Sequence, residues 1–136
     1  MSPVTGFAHV GILVEDLAPV ARLFGDRLGV EVIGPEPEQE LGLEVLWVRV
    51  GTTTLEFISP TDPESRAAKA IAAGQGGVHH VALQVDGLDD LLGELDAAGV
   101  GIRDRTPRAG AHGTRISFLE PAEASGALVE LIEGNS

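Results

Sequence analysis

Gly76-Gly77-Val78-His79-His80-Val81-Ala82-Leu83-Gln84-Val85-Asp86 decides how the chain is read. An apolar run entered through glycines and left through an acidic residue has the composition of a buried strand. Phe7-Ala8-His9-Val10-Gly11-Ile12-Leu13-Val14-Glu15-Asp16 repeats the pattern, and His9 stands where His80 stands. Near the end of each half comes an apolar strand that holds one carboxylate. These are Leu55-Glu56-Phe57-Ile58 and Val129-Glu130-Leu131-Ile132. Each half supplies one histidine on its first strand and one glutamate on its last.

The segments between fill in the same unit twice. After the strand at 7–14, Asp16 is placed to cap a helix over about 17–27, where Leu17, Val20, Leu23, Phe24 and Leu28 share a face. Gly29 stops it, and Val30 to Ile33 reads as a strand. A polar loop over 35–42 leads to strands at 43–50 and 53–58, turned by Gly51-Thr52. An Ala-rich helix over about 64–73 links to the second half. There the order recurs: strand 78–85, helix about 88–98, strand 100–103, loop 104–113, strands 114–119 and 127–133. The expected fold is α+β, two paired β-α-β-β-β modules in one domain over 1–136, forming a curved, cleft-forming mixed or antiparallel sheet. Neither half is large enough to be stable alone, so the two are expected to pack side by side.

Strand alternation sorts the polar residues. Val78 and His80 face one way and His79 the other, so His79 cannot join His80 at one metal. His9, Glu56, His80 and Glu130 are expected to point inward together. Two imidazoles and two carboxylates suit a divalent transition ion and are harder than the thiolate sets of structural zinc. A lone histidine in an apolar strand is more often a satisfied core residue. A glutamate inside each apolar run changes the balance, because a buried unpaired carboxylate is costly. Cobalt, manganese, nickel and zinc would all fit this donor set.

Composition narrows the class. With 43% hydrophobic and 22% charged residues, 136 residues suit one globular domain with a sizeable core. No apolar run has the length of a membrane span, and no basic-then-apolar leader opens the chain. The absence of cysteine excludes disulfides and thiolate chemistry and fits a cytoplasmic location. A net charge of −12 argues against nucleic acid. Four of the nine basic residues, Arg103, Arg105, Arg108 and Arg115, crowd around Gly110 and Gly113, either as a local anion site or as a solvated loop.

With these residues in view, the chain resembles the vicinal oxygen chelate superfamily of glyoxalases, extradiol dioxygenases and antibiotic-resistance proteins. Within it, the chain is most similar to the methylmalonyl-CoA epimerase family. The resemblance rests on Phe7 to Ile12, Ser59-Pro60 through Ala68-Lys69, Gly76 to Ala82, Thr106-Pro107-Arg108-Ala109-Gly110-Ala111-His112-Gly113-Thr114 through Pro121, and Gly126 to Leu131. It implies a metal held by His9, Glu56, His80 and Glu130, an acyl-CoA substrate and a homodimer. It also implies proton exchange at C2 by two acid/base groups, one of them Glu130. In several members the second is a glutamate on the third strand. This chain reads Gly42-Leu43-Glu44-Val45, where an ungapped match puts Val45 in that position and a one-residue shift puts Glu44 there. Glu44 is taken as the second base, with Glu40 as a loop-borne substitute. Glu120 and Glu123 stand where many members carry His-Pro-Lys, which leaves the acyl-CoA open. The competing readings are a glyoxalase I-type lyase and a metal-free small-molecule-binding protein. The second would need more aromatic lining than four Phe, one Trp and no Tyr provide.

Overall fold

A computed structural model describes residues 2–134. It divides into two compact units, one of residues 9–79 and one of residues 2–8 with 80–134. The first strand, β1 (Val4–Leu13), and the fifth, β5 (Gly77–Val85), each run from one unit into the other.

In the unit of residues 9–79, β2 (Glu31–Glu38), β3 (Leu43–Val50) and β4 (Thr53–Pro60) pair antiparallel, and β1 adds to β4 in parallel. Alternation gives the sheet two distinct faces. Leu46 and Val48 of β3 lie opposite Phe57 and Leu55 of β4, and this face carries the core with Leu17. Val20, Ala21 and Phe24 cover it. They stand on α1 (Ala18–Ala21) and the π-helical turn Arg22–Arg27 that continues it. The Asp16 carboxylate accepts from the Ala18 N–H at 3.0 Å, but from one residue ahead of the N-cap, which is Leu17 and makes no side-chain bond; the expected Asp16 cap is displaced by one position. The regular helix is shorter than the sequence suggests. Gly25 lies against Val32, and the Leu28 N–H reaches back five residues to the Leu23 carbonyl, which widens the last turn.

The expected polar loop at 35–42 is largely strand. β2 runs on to Glu38 because it is the outer strand in the order β2-β3-β4-β1, where Pro35 and Pro37 remove no ladder bond. One extra residue between Ile33 and Glu36 shifts its register against β3. Ser65 caps α2 (Arg66–Ala72), its Oγ accepting from the Ala68 N–H at 3.1 Å.

The other unit repeats the plan in the order β5-β8-β7-β6, with α3 (Leu88–Ala97), β6 (Arg108–Ala109), β7 (Arg115–Phe118) and β8 (Val129–Glu133). β8 is parallel to β5 and antiparallel to β7. Leu88 and Leu92 pack on Val85, Ile102 and Leu131. The strand expected at 100–103 reduces to one bridge, Ile102 to Leu119. Asp104 ends it: its carboxylate takes the Phe118 N–H at 2.9 Å, and its carbonyl takes the Ser117 hydroxyl at 2.7 Å. The third strand of this module is β6 instead. Two β-α-β-β-β modules and a mixed sheet are therefore present, as the repeat predicts. Among the described residues no helix is long and apolar enough to cross a membrane.

Candidate metal centre

In the unit of residues 9–79, register places the proposed ligands on one face. His9 pairs with Thr54 and Gly11 with Glu56 across the parallel ladder, and Trp47 stands opposite Glu56 on β3. His9, Trp47 and Glu56 thus point away from the apolar core on the other side of the sheet. His9 Nε2 lies 3.8 Å from Glu56 Oε2, and the Trp47 ring meets the imidazole edge-on at 6.2 Å. Burial holds the His9 pKa down at about 4, so the imidazole is neutral at physiological pH. A neutral imidazole is the form that ligates a metal.

The other unit holds the matching pair. Ala82 stands opposite Glu130 on the parallel ladder, so His80, two residues before Ala82, shares the Glu130 face. His80 Nε2 lies 3.6 Å from Glu130 Oε2, and Phe118 meets the His80 ring edge-on at 5.5 Å. Burial raises the Glu130 pKa to about 7; the positive charge of Arg108 opposes the shift and Asp104 adds to it. The Arg108 guanidinium sits over the Phe118 ring at 5.8 Å and pairs with Asp104 at 3.0 Å.

Both pairs fit a divalent ion. Donors about 2.0–2.2 Å from one metal stand about 3.0–3.6 Å apart for ordinary bond angles. The two observed separations lie at or just beyond the long end of that range and are too long for hydrogen bonds. Both histidines and Glu130 are deeply buried, the condition under which a bound cation offsets the cost of the carboxylate.

This burial has a measurable consequence in protein stripped of metal. Glu130 ionises near 4.5 in the unfolded chain and near 7 when folded. The folded state therefore holds its proton more tightly, and the stability cost appears as pH rises through that window and is constant above it. Glu130→Gln has no such cost. Relative to the parent, the variant is expected to gain about 3 kcal/mol between pH 4.5 and pH 8 in urea unfolding with EDTA present. A difference that does not change with pH would remove Glu130 from the buried, metal-free environment described.

Glu44 does not join this site. It lies opposite Ser59 on β3 and shares its face with Leu46 and Val48, whereas Val45 shares the Glu56 face. The expectation that Glu44 serves as second base is corrected: alternation turns its carboxylate to the other side of the sheet. Glu40 sits exposed in the 3-10 turn Gln39–Leu41. The arginine cluster is mostly engaged within its own unit. Arg105 pairs with Asp96, and Arg115 with both Asp89 at 2.9 Å and Glu133 at 3.0 Å. An anion site there is not supported. His112 is exposed, in a left-handed conformation (φ 57°), in the turn Ala111–Gly113. Glu123 has a structural task, accepting from the Gly101 N–H at 3.2 Å. His79 is exposed while His80 is buried, as alternation requires. Trp47 and Phe118, the edge-on partners of the imidazoles, escaped the sequence reading. Only their register opposite Glu56 and Glu130 marks them.

The chain matches known proteins along nearly all its length. The profile of the Glyoxalase/Bleomycin resistance protein/Dioxygenase superfamily covers residues 8–118. The mitochondrial methylmalonyl-CoA epimerase of Bos taurus is 34% identical over 124 residues, 90% of this chain and 71% of the relative. The crystal structure of methylmalonyl-CoA epimerase from Mycobacterium tuberculosis superposes with a TM-score of 0.88 at 31% identity, covering 100% of this chain and 92% of that one. A variant of Streptomyces coelicolor methylmalonyl-CoA epimerase in complex with 2-nitronate-propionyl-CoA gives a TM-score of 0.84 at 29% identity, over 96% of this chain and 95% of that one. With the repeated modules and the two histidine–glutamate pairs, these matches place the chain in the Glyoxalase/Bleomycin resistance protein/Dioxygenase superfamily, as an isomerase of the methylmalonyl-CoA epimerase type.

Proposed function

We propose that this protein interconverts the two C2 epimers of methylmalonyl-CoA, with a divalent metal held by His9, Glu56, His80 and Glu130. The observation that carries the reading is the histidine–glutamate pair found in each unit on corresponding strands, its histidine buried and met edge-on by an aromatic ring. The acyl-CoA analogue in the Streptomyces coelicolor relative supports the substrate class. When bound, the ion supplies positive charge for the substrate oxygens, which favours the enolate over the parent thioester. Cobalt, manganese, nickel and zinc suit the donors.

The chain's own residues move the proton. Glu130, buried beside His80, takes the C2 proton of one epimer and, once protonated, delivers a proton to that same face when the reaction starts from the other. The bond broken is C2–H, its electron pair passing into the thioester carbonyl; reprotonation from the other side of the planar carbon completes the inversion. Trp47 and Phe118 border the pairs with apolar surface and limit water at the reacting carbon. In keeping with the resemblance, the chain is proposed to act as a cytoplasmic homodimer of one domain over residues 1–136.

The test is deuterium uptake at C2 of methylmalonyl-CoA in deuterated water, on protein stripped of metal and reloaded with cobalt. Metal-dependent uptake with loss of stereochemical purity is expected. Bound metal without uptake would overturn the epimerase reading, and no bound metal would overturn the ligand set.

A further inference from the structure

Inversion at C2 needs an acid/base group besides Glu130, and Glu44 faces the wrong way. The unit of residues 9–79 offers another carboxylate. Glu36 of β2 stands directly opposite Val45, which stands opposite Ile58 on β4, two residues from Glu56. Residues opposite one another on antiparallel strands point to the same face, so Glu36, Val45 and Glu56 share one. The irregularity between Ile33 and Glu36 creates this placement. Ile33 pairs with Trp47 on the Glu56 face, and in an unbroken strand a residue three positions later would point to the opposite side. The extra residue turns Glu36 back onto the Glu56 face, the kind of re-aiming that bulges produce beside active sites.

The alternatives on that face are weaker. Glu31 is exposed and stands opposite Arg49, at the far end of β2 from Glu36. Glu38 lies opposite Leu43, a further two residues from the level of Glu56. Two strand spacings and one two-residue step put the Cα atoms of Glu36 and Glu56 about 12 Å apart. A glutamate side chain spans part of that gap, and a substrate beside Glu56 would have to span the rest. Glu36 is half-buried between the exposed Pro35 and Pro37.

We propose that Glu36 is the second acid/base residue, reaching over Val45 from the neighbouring strand. This rests on the epimerase reading above. Glu36 would then serve one face of C2: as a carboxylate it takes the proton of one epimer, and as a carboxylic acid it delivers a proton to that face when the other epimer reacts. Protons balance over the two half-reactions, and nothing is oxidised or reduced.

The test compares the cobalt-loaded parent protein with Glu36→Gln, each given the two C2 epimers separately in deuterated water. The parent should invert both epimers. The variant should bind cobalt at the parent level, lose inversion by about 100-fold or more, and still exchange the C2 proton of one epimer with retention. Glu44→Gln should stay within twofold of the parent. Inversion by Glu36→Gln within a few-fold of the parent would overturn the assignment and leave the epimerase reading standing. Equal loss of exchange from both epimers would also overturn it, because a proton carrier for one face spares the other. A parent protein inactive on both epimers would overturn the epimerase reading and this inference together.

Discussion

Glu130→Gln is expected to lower methylmalonyl-CoA epimerisation by about 1,000-fold, within the span attributed to a positioned acid/base group. The carboxylate is nearly fully buried and lies 3.6 Å from His80. The amide has almost the same shape and keeps one oxygen donor, so it removes the proton carrier while disturbing packing little. Turnover, deuterium uptake at C2 and bound metal should therefore separate. Uptake from at least one epimer falls with turnover, while metal content falls far less. If the amide variant turned over within tenfold of the parent, Glu130 would be a ligand only, and the proton would have to travel by another group.

The repeat itself was legible because both signals it uses are local. Glycine entry, apolar alternation and one polar residue per strand recur in the two halves, and burial of that polar residue follows from the face its neighbours occupy. His9 with Glu56, and His80 with Glu130, are therefore readable as one pair in each half, found at 3.8 Å and 3.6 Å. Glu44 and Glu36 show where that reading ends. Which side of a sheet a glutamate faces depends on register, and a one-residue displacement reverses it. Gly42-Leu43-Glu44-Val45 carries no mark of its own register. It is fixed by pairing to β4, where Glu44 meets Ser59. The β2 segment hid more, because Pro35 and Pro37 signal a loop by composition, yet an outer strand tolerates them. The missing strand at 100–103 has a similar cause. Asp104 replaces ladder bonds with side-chain and carbonyl contacts to Ser117 and Phe118, partners distant in sequence.

His80→Ala is expected to weaken metal binding more than 100-fold and to abolish detectable epimerisation, since even residues that only support a ligand typically contribute 10- to 100-fold. The fold should survive. His80 is buried but stands on β5, whose other face carries Val85 in the apolar core with Leu88, Leu92 and Leu131, and the substitution leaves that face intact. The cost to stability should be about 1–3 kcal/mol for a cavity beside Phe118 and Glu130. Loss of metal with a preserved unfolding transition would thus separate a ligand from a packing residue. Free imidazole sharpens the distinction, because a cavity that has lost an imidazole beside a carboxylate can take one up from solution. If His80 holds the ion, added imidazole should restore part of the bound cobalt and part of the turnover in His80→Ala, and it should do nothing for Glu130→Gln. Full metal content and turnover without imidazole would remove His80 from the centre, leaving the other three residues short of the proposed set.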